Sequence, residues 1–329
     1  MQHEMKWRYY NHAIIPRTAP HADADVSFLQ NKNLWSVFGG RRPLLARWTS
    51  DFDCKEPTDW WYMIKDTPFD IMDVKKNYRR KIRKGLDNFD IRLIDPTQYA
   101  EELYQVHSEA VASYPSRNRP TIDHDRFVRN LGKRRNGVTI AAFSKEDNSL
   151  AGYLYDIVHE GYISGSVQKS KPSEEIKHLN AALGYSELMH FSEELAKGYY
   201  IVAGERNVLH ETNIQEYLEN YFGYRKAYCR LNVVYRPGVK QLVAVLYPLR
   251  RLFSCKSRLH LFCQIYGVLK MEEIARRDRR HSHAKAGSPR GTLTPPPIQN
   301  AAEEKHESKP GRVYKGLGAR RPMETVKTL

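Results

Sequence analysis

The sequence predicts an α/β fold, and three observations carry that reading. Short runs of β-branched and aromatic residues alternate with amphipathic stretches between residues 44 and 237. Apolar residues make up 41% and aromatic residues 11% of a 329-residue chain, enough for a substantial core. The last fifty or so residues then change composition abruptly, which marks where the folded part stops.

Taken in order, "LLARWTSDF" (Leu44–Phe52) and "WWYMIKD" (Trp60–Asp66) read as strands. "DVKKNYRRKIRKG" reads as a helix with Asp73 as its N-cap and Gly85 placed to stop it. Val74, Tyr78, Ile82 and Leu86 recur every fourth residue on one face of it, and the other faces are almost purely Lys and Arg. "FDIRLID" (Phe89–Asp95) alternates as a strand. Two helices follow, "AEELYQVHSEAVASY" and "DHDRFVRNLGKR". Residues 137–168 then read as three strands, with "KEDNS" turning between the first two. A long helix is expected from Asn180 to Gly198, and "YYIVAG" after it is a strand buried on both faces. A helix beginning near Asn213 and the strand "AYCRLNVVYRP" complete the series.

"LVAVLYPLRRLFSCKSRLHLFCQIYGVLKMEEIARR" (Leu242–Arg277) predicts a pair of basic amphipathic helices around Pro248. Packing against the body is the plainer reading, and rest on an anionic membrane surface is the other. Beyond it, three consecutive prolines, mixed charge and few apolar residues predict disorder. Of the net charge of +15, the stretch from Met271 onward holds 13 Lys/Arg against 7 Asp/Glu, and "KKNYRRKIRK" (Lys75–Lys84) concentrates much of the rest. Such a balance suits polyanionic or membrane-associated substrates, tRNA or another nucleic acid included.

No run of about 18 apolar residues is present, and "MQHEMKWRYY" has no apolar signal core. The four cysteines show no C-x-x-C pair and no metal spacing. These features predict a reducing cytoplasmic setting, with peripheral contact at the inner membrane surface through 242–277, and no metal. No H-E-x-x-H, P-loop, dinucleotide fingerprint or G-x-S-x-G occurs.

Two segments carry a resemblance. "WWYMIKDTPFDIMDVKKNYRRKIRKGLDNFDIRLID" is similar to the stretch of Fem-type proteins that leads a basic helix into the second acyltransferase domain. "GERNVLHETNIQEYLENYFGYRKAYCRLNVVYRP" resembles the closing half of that domain, with the pair Gly223-Tyr224 before the final strand. From Phe89 onward the order of strand, helix, helix, three strands, helix, strand, helix, strand resembles the GNAT acyltransferase fold.

The resemblance covers roughly residues 50–240. It implies a mixed central sheet flanked by helices, and an organisation of four parts. Residues 1–88 would be a partial β-rich N-terminal region with the basic linker helix, and 89–240 the GNAT-like domain. Residues 241–277 would be the helical extension and 278–329 a disordered tail. It further implies N-acyl or aminoacyl transfer from a thioester-type donor to an amine, such as an amino sugar or cell-envelope precursor. The donor would lie where "YISGSV" and "YYIVAG" splay apart, with the acceptor amine on the opposite side.

Acyl-CoA is the implied donor. The stretch Gln168–Gly184 lacks the paired glycines that acetyl-CoA-using members place before their third helix. That departure speaks against acetyl-CoA and leaves another acyl thioester, an aminoacyl-tRNA, or a scaffold without chemistry. Lys169, Lys171, His178 and Asn180 are the candidates for holding the donor there.

Amine acylation needs a proton acceptor, oxyanion stabilisation and a proton for the leaving group. His210 follows the buried strand at the expected mouth of the site, and its ordinary pKa suits an amine proton. Glu205 and Glu211 flank it, and either orients it or acts directly. Asn213 is a catalytic candidate whose plain alternative is the helix cap, a role it shares with Thr212. Tyr217 is a candidate donor to the leaving group, though its spacing to Gly223 places Glu219 where the family's tyrosine stands, and core packing is the plain alternative. Arg79 and Arg83 on the basic helix, with Trp61 and Tyr185, are candidate substrate contacts. A solvated charged face is the usual meaning of such a run. A basic nucleic-acid-binding protein and an inactive scaffold are the competing functions.

Overall fold

The alternation of apolar runs and amphipathic stretches resolves into one mixed sheet with helices on both faces. The computed structural model describes residues 6–30, 34–36, 41–115, 119–132, 136–208, 213–253 and 260–286, with backbone alone for 260 and 280–286. Its strands are β1 (Trp7–Tyr10), β2 (Ala13–Pro16), β3 (Leu45–Ser50), β4 (Trp60–Lys65), β5 (Phe89–Ile94), β6 (Gly137–Ser144), β7 (Leu150–Val158), β8 (Tyr162–Ser170), β9 (Tyr200–Glu205) and β10 (Arg225–Tyr235). Their order across the sheet is β1-β2-β3-β10-β4-β9-β8-β7-β6-β5. The pairs β2/β3 and β8/β9 are parallel, and the other pairs described are antiparallel. The strands of the first 65 residues therefore join the main sheet, and β4 lies between β9 and β10.

The helices are α1 (Lys76–Asn88), α2 (Ala100–Ala112), α3 (His124–Leu131), α4 (Leu179–His190), α5 (Ser192–Ala196), α6 (Ile214–Phe222), α7 (Val239–Leu246) and α8 (His260–Ala286). Alternation along β7 shows how the layers divide. Leu154 packs with Leu179 and Leu183 of α4, whereas Tyr153 packs with Leu103 and Val106 of α2. On the α4 side, Ile82, Leu188, Phe222 and Tyr224 close over Ile163 and Ile201. On the opposite side, Ile274 of α8 covers Trp60, Cys229 and Leu231.

Three local features differ from expectation. Asp70, not Asp73, caps the approach to α1: its carboxylate accepts from the Met72 N–H at 2.8 Å and starts a single 3-10 turn, Ile71–Asp73. Val74 is extended there, and the helix starts two residues later. Gly85 does not end α1, which continues to Asn88. A Cβ at Gly85 would stand 2.5 Å from the His178 carbonyl oxygen, so the glycine lets α1 press against the start of α4. The expected helix 180–198 breaks at Phe191 into α4 and α5. The predicted α1 stripe does turn inward. Ile82 is fully buried, Leu86 packs on the core, and Tyr78 meets Tyr221 at 4.3 Å.

Helix α8 runs through Ala286, into the segment expected to be disordered from residue 278. Residues 287–329 lie outside the described residues. No helix among the described residues is long and apolar enough to cross a membrane.

Candidate functional site

β8 and β9 begin as a parallel pair and then part. Tyr162 pairs with Tyr200, Ile163 with Ile201 and Ser164 with Val202. Beyond that point β8 stays with β7, from Gly165 opposite Asp156 to Ser170 opposite Gly152. β9 instead follows β4, ending with Glu205 opposite Tyr62. Each strand is bent at the parting. The β7–β8 register skips Ser166, the β4–β9 register shifts between Tyr62 and Ile64, and Gly204 takes a φ of +120° that suits only glycine. The β8–β9 ladder therefore ends at Ser164 and Val202, and the two strands take different partners beyond Gly165 and Ala203, which leaves a wedge in the sheet. The fold is GNAT-like. Strand order, the parted parallel pair and a helix following each of its strands make it so.

Two carboxyl groups lie beside the wedge on the α4 side. Asp156 of β7 is 1% exposed, and its Oδ2 has no hydrogen-bond partner. A Cβ built on Gly165 would lie 3.8 Å from Asp156 Oδ1 and 3.3 Å from the Val202 carbonyl, so a bare glycine separates the acid from the fork. Desolvation, then the charge of Glu187, raises the Asp156 pKa well above the carboxylate range. Glu187 of α4 is pushed up to about 7 by its own desolvation. Tyr224, 4% exposed, faces the same pair, and its phenol is raised by burial and by both acids. The Gly223-Tyr224 pair thus has a local meaning. Gly223 (φ 64°) ends α6 in the left-handed conformation and turns Tyr224 into the core beside the acids.

The opposite face carries aromatic rings at the paired end of the fork. His21 Nδ1 and the Tyr200 hydroxyl share a hydrogen bond at 2.7 Å. Tyr162 stacks on Tyr200 at 5.8 Å and on His159 at 4.4 Å, while Phe52 closes on Tyr200 at 5.5 Å.

A basic cavity of about 370 Å³ lies at the start of α4, lined by Arg80, Lys81 and Lys84 of α1 and by His178. His178 has a φ of 66° and occupies the N-cap position, where its backbone carbonyl accepts from Ala181 and Ala182. Burial, followed by the charges of Lys84, Lys81 and Arg80, lowers its pKa. The stretch before α4 forms a 3-10 turn, Pro172–Lys177, and the cations of α1 stand beside the start of that helix. Gly85 is what allows α1 to come that close.

The residues named from sequence fall in several places. Residues 209–212, with His210, Glu211 and Thr212, lie outside the described residues. The Glu205 carboxylate is held by Arg47 of β3 through two bonds, at 2.5 and 3.0 Å. Asn213 sits at the α6 N-cap position, but its side chain makes no capping bond. The Tyr217 hydroxyl is buried without a partner, and burial raises its pKa. Asn180 Oδ1 accepts from Gln168 Nε2 at 2.9 Å and from Ser170 Oγ at 2.6 Å, tying the end of β8 to α4.

Lys169 points to the opposite face, where its Nζ meets the Tyr114 hydroxyl at 2.6 Å, so it does not join the α4 cations. Lys171 precedes the 3-10 turn and is half-buried. Arg79 contacts Met72 Sδ at 3.1 Å, and Arg83 is exposed. Trp61 donates to Gln215 Oε1 at 3.1 Å beneath the cations of Arg206 and Lys226. Tyr185 packs edge-on to Phe69, and burial raises its pKa. Sequence reasoning missed Asp156, Glu187, His21, Tyr162 and Tyr200. A lone acid in the apolar run "LAGYLYDIV" was the one available signal. Among the described residues no group of three or more His, Cys, Asp or Glu is placed to hold a metal ion.

No family model and no curated protein matches this sequence. Solved structures do resemble it. L-PGS from Bacillus licheniformis is 13% identical over 75% of this chain and 84% of that one, at a TM-score of 0.42. A tandem GNAT protein from the clavulanic acid biosynthesis pathway is 10% identical over 68% of this chain and 75% of that one, at 0.38. FemX is 9% identical over 60% of this chain and 65% of that one, at 0.40. The likeness is one of architecture.

Proposed function

We infer that the chain is an N-acyltransferase, moving an acyl or aminoacyl group from a phosphate-bearing donor to an amine at the β8–β9 fork. The observation that carries this reading is the fork itself, with an unpartnered buried carboxyl group one glycine away from it. The donor, an acyl-CoA or an aminoacyl-tRNA, supplies an activated carbonyl carbon. Arg80, Lys81 and Lys84 fit its phosphate groups, with the first turn of α4 behind them. Burial and these cations lower the His178 pKa, and an anion that offsets the cations acts in the opposite direction.

The acceptor amine approaches from the face of His21, Tyr162 and Tyr200, whose rings favour a cationic ammonium before it is deprotonated. The Asp156–Glu187 pair, both carboxyl pKa values raised by burial and Glu187 to about 7, takes the amine proton in its ionised form. A C–N bond then forms, and the donor's C–S or C–O bond breaks. Tyr217 retains its proton at neutral pH and serves as donor to the leaving group. His210 and Glu205 are the competing proton acceptors. An amino sugar or cell-envelope precursor is the acceptor class, in a protein acting at the cytoplasmic side of a membrane.

The test pairs binding with turnover. Native mass spectrometry and dialysis against CoA, acyl-CoAs and aminoacyl-tRNA should reveal a bound donor. Lys81→Ala with Lys84→Ala should weaken it by about tenfold or more. With an amine panel, Asp156→Asn should lower kcat by about a hundredfold while leaving donor affinity intact. Absence of both binding and turnover would overturn the assignment. Full activity in Asp156→Asn with loss in His210→Ala would move the proton acceptor to His210.

A further inference from the structure

The segment after β10 leaves an apolar surface bare. Fourteen large apolar side chains are exposed among the described residues, and six of them fall between positions 242 and 262: Leu242, Val245, Leu249, Leu252, Leu261 and Phe262. The first four are spaced three, four and three residues apart along α7 and the turn Tyr247–Leu252 that continues it, so they form one helical stripe. Val243, 5% exposed, turns the other way and anchors α7. Phe253 meets Phe262 edge-on at 5.5 Å, which brings the start of α8 beside the end of that turn. Val245 is 69% and Leu252 76% exposed. Core packing accounts for Val243 but not for the stripe.

Charge selects the occupant. No Asp or Glu occurs between Glu219 and Glu272, and Lys240, Arg250, Arg251, Lys256, Arg258 and Lys270 lie within or beside the apolar stretch. Lys240 and Arg251 are exposed, and Arg250 is half-buried over the Tyr247 ring. A second copy would bring the same cations face to face. The segment 287–329, with 8 Lys/Arg against 4 Asp/Glu, is cationic too and poor in apolar residues. An anionic surface that also accepts apolar side chains fits both properties.

We propose that the stripe Leu242–Leu252, with Leu261 and Phe262, docks this protein on an anionic lipid bilayer. The side chains enter the acyl boundary while Arg251, next to Leu252, meets the headgroups. The proposal stands on observations separate from the fork and goes beyond the transfer reaction.

The full chain is tested by co-sedimentation with vesicles of neutral lipid alone and of neutral lipid with about 30 mol % anionic lipid, at about 50 and about 500 mM salt. Binding should require the anionic lipid and weaken at high salt. Val245→Glu and Leu252→Glu, both at exposed sites that leave the fold intact, should each lower partitioning about tenfold or more. Circular dichroism and thermal melting of each variant confirm that the fold persists. Lack of binding to anionic vesicles at low salt would overturn the proposal, as would equal binding by folded variants. So would sedimentation showing a stable dimer that these same substitutions dissociate, because the stripe would then belong to a second copy.

Discussion

Substituting Glu187 with Gln should change how stability depends on pH more than it changes stability itself. Moving a carboxyl pKa from 4.5 to about 7 means the folded protein holds that proton more tightly than the unfolded chain, by about 3 kcal/mol. The sign follows from proton counting. Below pH 4.5 both states are protonated and the full stability is present. Between 4.5 and about 7 the unfolded chain releases the proton first, so stability falls as pH rises and levels off above it. Asp156, also raised, acts in the same direction.

Urea unfolding of the parent and Glu187→Gln at about pH 5 and about pH 8 reads the pair, because groups other than Asp156 contribute nearly equally to both proteins and Asp156, relieved of the Glu187 charge, shifts in the same sense. Glu187 keeps part of its surface in water, so the parent should lose about 2–3 kcal/mol more than the variant across that interval. Parallel pH profiles for the two proteins would refute the buried pair.

Gly85→Ala should cost about 1–3 kcal/mol, since its Cβ would stand 2.5 Å from a backbone oxygen and 3.1 Å from the Ala182 Cβ; thermal melting reads the loss. Arg47→Ala should destabilise by about 2–4 kcal/mol because it strands the Glu205 carboxylate, and Glu205→Gln in the same chain should recover part of that in a double-mutant cycle. Cys229 is fully buried with its thiol pKa raised by desolvation. Iodoacetamide at about pH 8 should leave it unmodified in the folded protein while alkylating the half-exposed Cys54, as read by peptide mass mapping.

Much of the fold was legible because periodicity reports burial directly. The α1 stripe, the strand after Gly198 and the order of elements from Phe89 all follow from which side chains leave water. Punctuation was less legible. Gly85 looked like a helix stop, because sequence distinguishes a glycine that ends a helix from one that admits a neighbour only when the neighbour is known. Asp73 looked like a cap, but Asp70 starts its own turn first, and a short side-chain bond to a nearby N–H is available to either residue. Lys169 became legible only once the partners of its neighbours were known. It alternates with Gln168 and Ser170 on one strand, and since those two reach Asn180, Lys169 must face the other way.

The site resisted reading for a different reason: its chemistry comes from pairs that no local pattern links. Glu205 drew notice through its neighbours in sequence, yet its carboxylate is held by an arginine from a strand near the other end of the chain. Asp156 and Glu187 sit on a strand and a helix, each unremarked in its own segment. Their pKa values depend on being desolvated together behind Gly165. Desolvating two acids is costly, and apolar residues of similar volume would pack there at lower free energy. A fold that keeps the cost beside a parted pair of strands, with one carboxyl oxygen unpaired, has placed two titratable groups where the β8–β9 ladder ends. That conjunction, and neither acid alone, separates the fork from an ordinary irregularity in a sheet.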